Sequence, residues 1–222
     1  MTPRVVIVSA PSGAGKTTIT RKLVELHPDR FDLSISATTR KPRVGERNGQ
    51  AYHFLTRDEF ERWKREGRFL ETAQYAGEWY GTPRSEVDGI LASGKHALLD
   101  IDVVGAENIR KAWKGEAPIT VFVLPASPQV LLERLKDRKT ESFDQMYARI
   151  ERAQHELGQS ARYDRLLRND ALGEAVAELG EIIDEGGGWR RDAPDASRWI
   201  DQFAADLQEE KVRFYNQMKG KT

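Results

Sequence analysis

An apolar run rich in Val and Ile, Arg4 to Ala10 (RVVIVSA), leads into Ser12-Gly13-Ala14-Gly15-Lys16-Thr17-Thr18 and then a helix-like run to Leu26. Strand, glycine loop and helix in that order describe a phosphate site. The pattern asks for Gly, four residues, then Gly-Lys-Ser/Thr. Ala10 stands at the first Gly, and Gly15-Lys16-Thr17 is intact. Gly13 and Gly15 are expected to take positive φ, so that the backbone comes close to the ligand. Successive amides can then cradle phosphate oxygens. A helix beginning near Lys16 adds its own unpaired amides and its dipole. Lys16 is expected to reach the β- and γ-phosphates, and the Thr17 hydroxyl to hold Mg²⁺. The motif specifies a nucleoside triphosphate with Mg²⁺ and leaves the phosphoryl acceptor open.

The remaining chain alternates strands and helices. Strands are expected at Asp32–Ser36, Phe69–Tyr75, His96–Asp102, Thr120–Leu124 and Tyr163–Leu167. Thr56-Arg57-Asp58-Glu59 has capping-box spacing and predicts a helix ending near Gly67. Trp79 to Pro83 reads as a turn, with Thr82 and Pro83 as N-cap and first residue of a helix to Ser93. Helices are also expected from Ser127-Pro128 through Arg138, from Ser142 to about Leu157, and from Leu172 to Asp184. This alternation predicts an α/β fold with a mostly parallel sheet and right-handed crossovers. Asp100 and Asp102 end a buried-strand pattern, where such sheets face their ligands. One of them is expected to orient Mg²⁺ through water or meet the substrate, and the other to cap a helix starting near Gly105.

Two stretches interrupt the rhythm. Residues 36–92 read as an inserted lobe, and the cations of Arg134 to Arg149 as a solvated face or a lid over transferring phosphates. On charge alone, Thr38 to Asn48 reads as a solvated basic loop. Charge is balanced, 35 basic against 35 acidic residues, so no global case for nucleic acid or membrane arises. There is no cysteine, which excludes disulfides and Cys nucleophiles. No signal peptide and no apolar run near the ~20 residues of a membrane span is evident. The expectation is a soluble cytoplasmic protein. His27, His53, His96 and His155 show no metal-ligand spacing, and Glu151 to Glu156 reads as a solvated helix face.

Taken in order, several segments resemble guanylate kinase. They are Ser9 to Thr18, Ser36 to Glu46 (SATTRKPRVGE), Asn48-Gly49, Tyr52-His53-Phe54, Phe69-Leu70-Glu71, Tyr80-Gly81-Thr82, Leu99 to Asp102 with Gly105, Arg134-Leu135 with Arg138, Thr140-Glu141, Arg149 and Asn169-Asp170. The resemblance covers roughly residues 4 to 184 and reverses the solvated-loop reading at Arg40 and Arg43. It implies a P-loop kinase core at 1–35 and 93–185, with a short helical lid at about 134–150. It further implies a GMP-binding lobe at 36–92, leaving 186–222 as linker and C-terminal amphipathic helix.

The implied reaction is ATP + GMP giving ADP + GDP with Mg²⁺, and dGMP also accepted. Carried over by position, Ser12, Gly13, Ala14, Gly15, Lys16, Thr17, Thr18 and Asn169 bind ATP, with Thr17 on the metal. Arg40, Arg43, Tyr52 and Tyr80 grip the GMP phosphate, where forked guanidinium bonds suit an anion. Ser36, Glu71 and Thr82 read guanine, and Asp100 borders the pocket. Lys16, Arg43, Arg138 and Arg149 form the catalytic set. Two alternatives stand: a non-catalytic guanylate kinase-like module that binds phosphopeptides, and a related kinase acting on ribose 1,5-bisphosphate. The family pattern is broken at Ala10, at Ala37 and Ala51, where polar residues are common, and at Lys136-Asp137-Arg138-Lys139. Beyond Gly186, Trp199, Phe203, Leu207, Phe214 and Met218 share one helical face, expected to pack on the domain or on a second copy. Monomer and homo-oligomer both remain open.

Overall fold

The computed structural model describes residues 2–75, 77–136, 143–190 and 193–219. Contacts divide the chain into two compact units, Met1–Ile7 with Val24–Ile119, and Val8–Leu23 with Thr120–Thr222.

The larger sheet contains β1 (Val5–Ser9), β2 (Phe31–Leu33), β7 (His96–Asp100), β8 (Ile119–Pro125), β9 (Arg165–Asn169) and β10 (Trp189–Arg190), in the order β10-β9-β8-β1-β7-β2. β2 runs parallel to β7 and β8 parallel to β9, while β10 joins β9 antiparallel. β1 and β8 are buried along their whole length, which is why both read as unbroken apolar runs. β9 begins two residues later than expected. Tyr163 instead closes a 3-10 turn, Gln159–Arg162. Asp164 is held by the Thr120 hydroxyl and amide, which donate to it at 2.6 and 3.1 Å.

The second sheet lies in the first unit, in the order β4-β3-β6-β5: β3 (Ala37–Thr38), β4 (His53–Phe54), β5 (Phe69–Tyr75) and β6 (Glu78–Pro83). The expected turn at Trp79 to Pro83 is therefore a strand, paired antiparallel with β5. The helix behind it, α3 (Arg84–Ala92), has Pro83 rather than Thr82 at its N-cap, because the Thr82 hydroxyl is engaged elsewhere. Ala37 is fully buried in β3, so its lack of a polar group suits its place. α2 (Arg57–Arg65) opens with the expected capping box: Thr56 accepts from the Glu59 amide, and Glu59 accepts from the Thr56 amide. Thr56→Ala should cost about 1 kcal/mol, read as a lowered Tm without loss of fold.

In the second unit, α5 (Pro128–Lys136) starts under a Ser127 hydroxyl that accepts from the Val130 amide at 3.2 Å. α6 (Phe143–Gly158) follows, then α7 (Leu172–Glu185), which ends at Gly186 with φ 70°. Residues 137–142 of the expected lid, including the expected helix start at Ser142, lie outside the described residues. α8 (Pro194–Lys219) packs on α5 and α6 through buried Ala196, Ile200, Phe203 and Leu207. Trp199 stacks on Phe203, with ring centroids 5.1 Å apart, and meets Trp189 of β10. The tail thus belongs to this unit's own packing. The side chain of Met218 is outside the described residues.

Candidate active site

The glycine loop belongs to the second unit. Gly13 and Gly15 have φ of 90° and 91°, as positive-φ amide cradles require. The loop closes on itself through the Ala14 amide, which donates to Pro11 O at 3.0 Å. α1 (Lys16–Leu26) then begins at the lysine. Asn169, buried at the end of β9, donates from Nδ2 to Ala14 O at 2.7 Å. A Cβ at Gly15 would lie 2.4 Å from that Nδ2, so only glycine lets Asn169 close on the loop. Asn169, assigned to ATP binding by the resemblance, has its side-chain amide on the loop. Thr17 and Thr18 are exposed on the first turn of α1, while Ser12 and Lys16 are half-buried.

Two residues outside the assigned binding and catalytic sets also touch this loop. Arg134 of α5 points Nη1 at Gly13 O and Ala14 O, at 3.5 and 3.4 Å. Glu156 of α6 is 4 % exposed and accepts from the Ser12 amide at 2.9 Å, so it is no solvated residue. The expected solvated face fails there because the loop covers that carboxylate. Arg149 of α6 donates from Nη1 to Leu135 O at 3.0 Å. Arg138 lies outside the described residues.

The first unit gathers the residues expected at the GMP phosphate. Arg40 lies 5.3 Å over the Tyr52 ring, and Tyr52 meets Tyr80 with centroids 5.9 Å apart. The Arg40 guanidinium forks onto Glu46 at 2.9 and 3.0 Å, and Glu46 also accepts from the Arg43 amide at 2.7 Å. Glu46 therefore shapes the basic loop, a role its sequence position did not reveal. That pairing holds Glu46 below the usual carboxylate range and raises Arg40. The Arg43 residue is exposed. Tyr52 is pushed up to about 12, first by burial and then by the nearby Asp100 carboxylate.

In the same unit, β5 carries an irregularity in register between Phe69 and Glu71. Such a bulge re-aims the next side chain. Glu71 and Thr82 face one another across β5 and β6, and the Thr82 hydroxyl donates to Glu71 Oε1 at 2.9 Å. Glu71 Oε2 is buried without a hydrogen bond. The space beside it is kept by Gly105 of α4 (Val103–Ala112), where a Cβ would sit 3.4 Å from the carboxyl. Asp102 is the residue that caps α4, accepting from the Gly105 amide at 2.8 Å, and the helix starts two residues earlier than expected. Asp100 is left at the end of β7. Ser36 precedes β3, and its carbonyl accepts from the His53 amide at 2.9 Å.

Burial pushes Glu71 up to about 7, with Asp102 adding to the rise and Thr82 and Asn108 opposing it. A carboxyl raised on folding stabilises the fold fully below its unfolded value near 4.5, and that stability is lost as pH climbs through about 7. Thermal unfolding without ligand should therefore show a decline between those pH values, worth at most ~3 kcal/mol, that Glu71→Gln flattens.

A glycine loop opening a helix after a buried strand in one unit, and in the other a lobe carrying an Arg–Tyr–Tyr cluster and a buried carboxyl, define a phosphate-loop α/β kinase fold. The Guanylate kinase family model matches residues 2–186. A guanylate kinase from Synechocystis sp. is 44% identical over 182 residues, covering 82% of this chain and 94% of its own. One from Clostridium perfringens is 40% identical over 178 residues, covering 80% and 81%. The solved guanylate kinase from Anaplasma phagocytophilum superposes with a TM-score of 0.66 at 28% identity, covering 82% and 85%. The chain belongs to the guanylate kinase family.

Proposed function

We propose that this protein transfers the γ-phosphoryl group of ATP to GMP, and to dGMP, giving ADP and the nucleoside diphosphate. The observation that carries the base is Glu71: a buried carboxyl with one oxygen on Thr82 and the other without a donor. Guanine offers N1–H and the exocyclic N2–H₂ side by side, and adenine does not. Orphaned buried acceptors are costly until a ligand supplies those donors. Donation to both oxygens favours the carboxylate, so GMP binding should expel a proton from Glu71 below pH 7.

The phosphate of GMP is assigned to Arg40, Arg43, Tyr52 and Tyr80, with Asp100 at the pocket border and Ser36 and Thr82 on the base. Arg40 then exchanges part of its fork on Glu46 for the ligand, while Glu46 keeps the loop shaped. ATP is assigned to Ser12 through Thr18, with Asn169 securing the loop beneath it. The attacking phosphate oxygen is already anionic, so no general base is needed. The chain's task is to neutralise two polyanions and align them, a role given to Lys16, Arg43, Arg138 and Arg149.

Mg²⁺ fits the donors present. Among the described residues no group of three or more acids or histidines could hold a metal alone. A nucleotide-bound Mg²⁺ needs few protein ligands, since phosphates and water supply the rest. The exposed Thr17 hydroxyl is the assigned ligand. When bound, the ion neutralises charge on the β- and γ-oxygens. No described helix is long and apolar enough to cross a membrane. The reading includes a cytoplasmic location.

Coupled ADP-release measurements with GMP, AMP, UMP and ribose 1,5-bisphosphate separate the alternatives. GMP should be preferred by about 10³-fold or more in kcat/KM, since a site built for hydrogen bonds rejects ligands that leave it unpaired. Preference for ribose 1,5-bisphosphate, or no acceptor-dependent ADP at all, would overturn the reading.

A further inference from the structure

α6 presents Met146, Ile150, Ala153 and Leu157 to the core, and all four are buried. Glu156 sits beside that stripe at 4 % exposure. Glutamate is rarely buried to this degree, because its charge loses water and must be given partners. One partner is the backbone: Oε2 accepts from the Ser12 amide at 2.9 Å, across 144 residues of chain. Ser12 is where the glycine loop begins.

The same helix carries Arg149 about two turns earlier, a distance of ~10 Å along a rigid rod. Arg149 donates to the last turn of α5 at Leu135 O, and Arg134 on α5 points back at Gly13 O and Ala14 O. α6 is thus tied to the loop at Glu156 and to α5 at Arg149. These ties all lie within one unit.

We infer that Glu156 is a positioning residue for phosphoryl transfer: by holding the Ser12 amide it fixes the loop's entry and locks α6 in register with it. Arg149 and the phosphate-binding amides then share one frame. The placement is informative because it runs against simple charge. A fixed carboxylate near a polyanion site repels the ligand, so we place its value in the bond accepted from the Ser12 amide. A side chain that keeps the acceptor and drops the charge should serve nearly as well.

The inference rests on the ATP:GMP kinase reading, and the test keeps the two apart. Glu156→Leu and Glu156→Gln are compared with the wild type by calorimetric titration with MgATP and, separately, with GMP, and by steady-state turnover. In Glu156→Leu the MgATP dissociation constant should rise about tenfold and kcat should fall, the loss expected for a buried charge-assisted bond. Its GMP dissociation constant should stay within about twofold, because the GMP residues do not depend on this bond. Glu156→Gln should remain within about threefold of wild type throughout, since its carbonyl can accept the same N–H.

A lower Tm with unchanged MgATP affinity and kcat in Glu156→Leu would reduce Glu156 to a packing role and overturn the inference. So would equal weakening of both nucleotides, or a Gln variant as impaired as Leu. Should Glu156→Leu not fold, Glu156→Asp keeps the charge and withdraws the acceptor. It must then bind MgATP more weakly than Glu156→Gln, and the reverse order refutes the proposal. Wild-type protein that binds MgATP but leaves GMP unphosphorylated would sink the kinase reading instead, with the titration arm intact.

Discussion

Lys16→Met should lower turnover about 10³-fold, the scale on which removing one preorganised charge acts in phosphoryl transfer. The fold should survive, because Lys16 is only half-buried on the first turn of α1 and the strand before it is held by apolar burial. Methionine keeps the length and the aliphatic stem, so packing changes little and the lost quantity is charge at the transferring group. Thermal unfolding without ligand separates the two effects: Tm should stay close to wild type while kcat collapses. MgATP affinity should fall less than kcat, since the charge matters most when negative charge develops on the bridging oxygen. Turnover near the wild-type value would remove Lys16 from the catalytic assignment.

Glu71→Gln should lower kcat/KM for GMP by about 10²- to 10³-fold, since a buried donor would now oppose a buried donor. The carboxylate can accept from both guanine N–H groups, whereas an amide accepts at one atom and donates at the other. The variant should also narrow the preference for GMP over IMP, which lacks the exocyclic amine. Both acceptors are measured at pH 8, where Glu71 is ionised in the wild type. A variant that keeps full discrimination would show that the base is read elsewhere. The same substitution should abolish the proton release on GMP binding, seen by titrating in buffers of different ionisation enthalpy.

The readable parts of this molecule are those decided locally. The glycine loop, the capping box at Thr56 and Glu59, and the buried runs of β1 and β8 each depend on residues a few positions apart. The parts that were missed depend on distant partners. β6 reads as a turn because Gly81-Thr82-Pro83 carries turn chemistry, and only pairing with β5 makes it a strand. Thr82 looks like a helix cap until Glu71 takes its hydroxyl. Glu156 looks solvated among Glu151, Arg152 and His155, since nothing nearby shows that Ser12 covers it. The residues assigned by family likeness are brought together unevenly: Tyr52, Tyr80 and Arg40 gather, as do Glu71 and Thr82. The Arg43 residue is exposed, and Arg149 is engaged with a backbone carbonyl.

Direct transfer between two nucleotides is the central claim, and following the γ-phosphorus of labelled ATP tests it most directly. With GMP and Mg²⁺ present, the label should move to the β-position of GDP, with negligible label in inorganic phosphate. Label released as inorganic phosphate, or ADP formed at the same rate with GMP left out, would contradict the account.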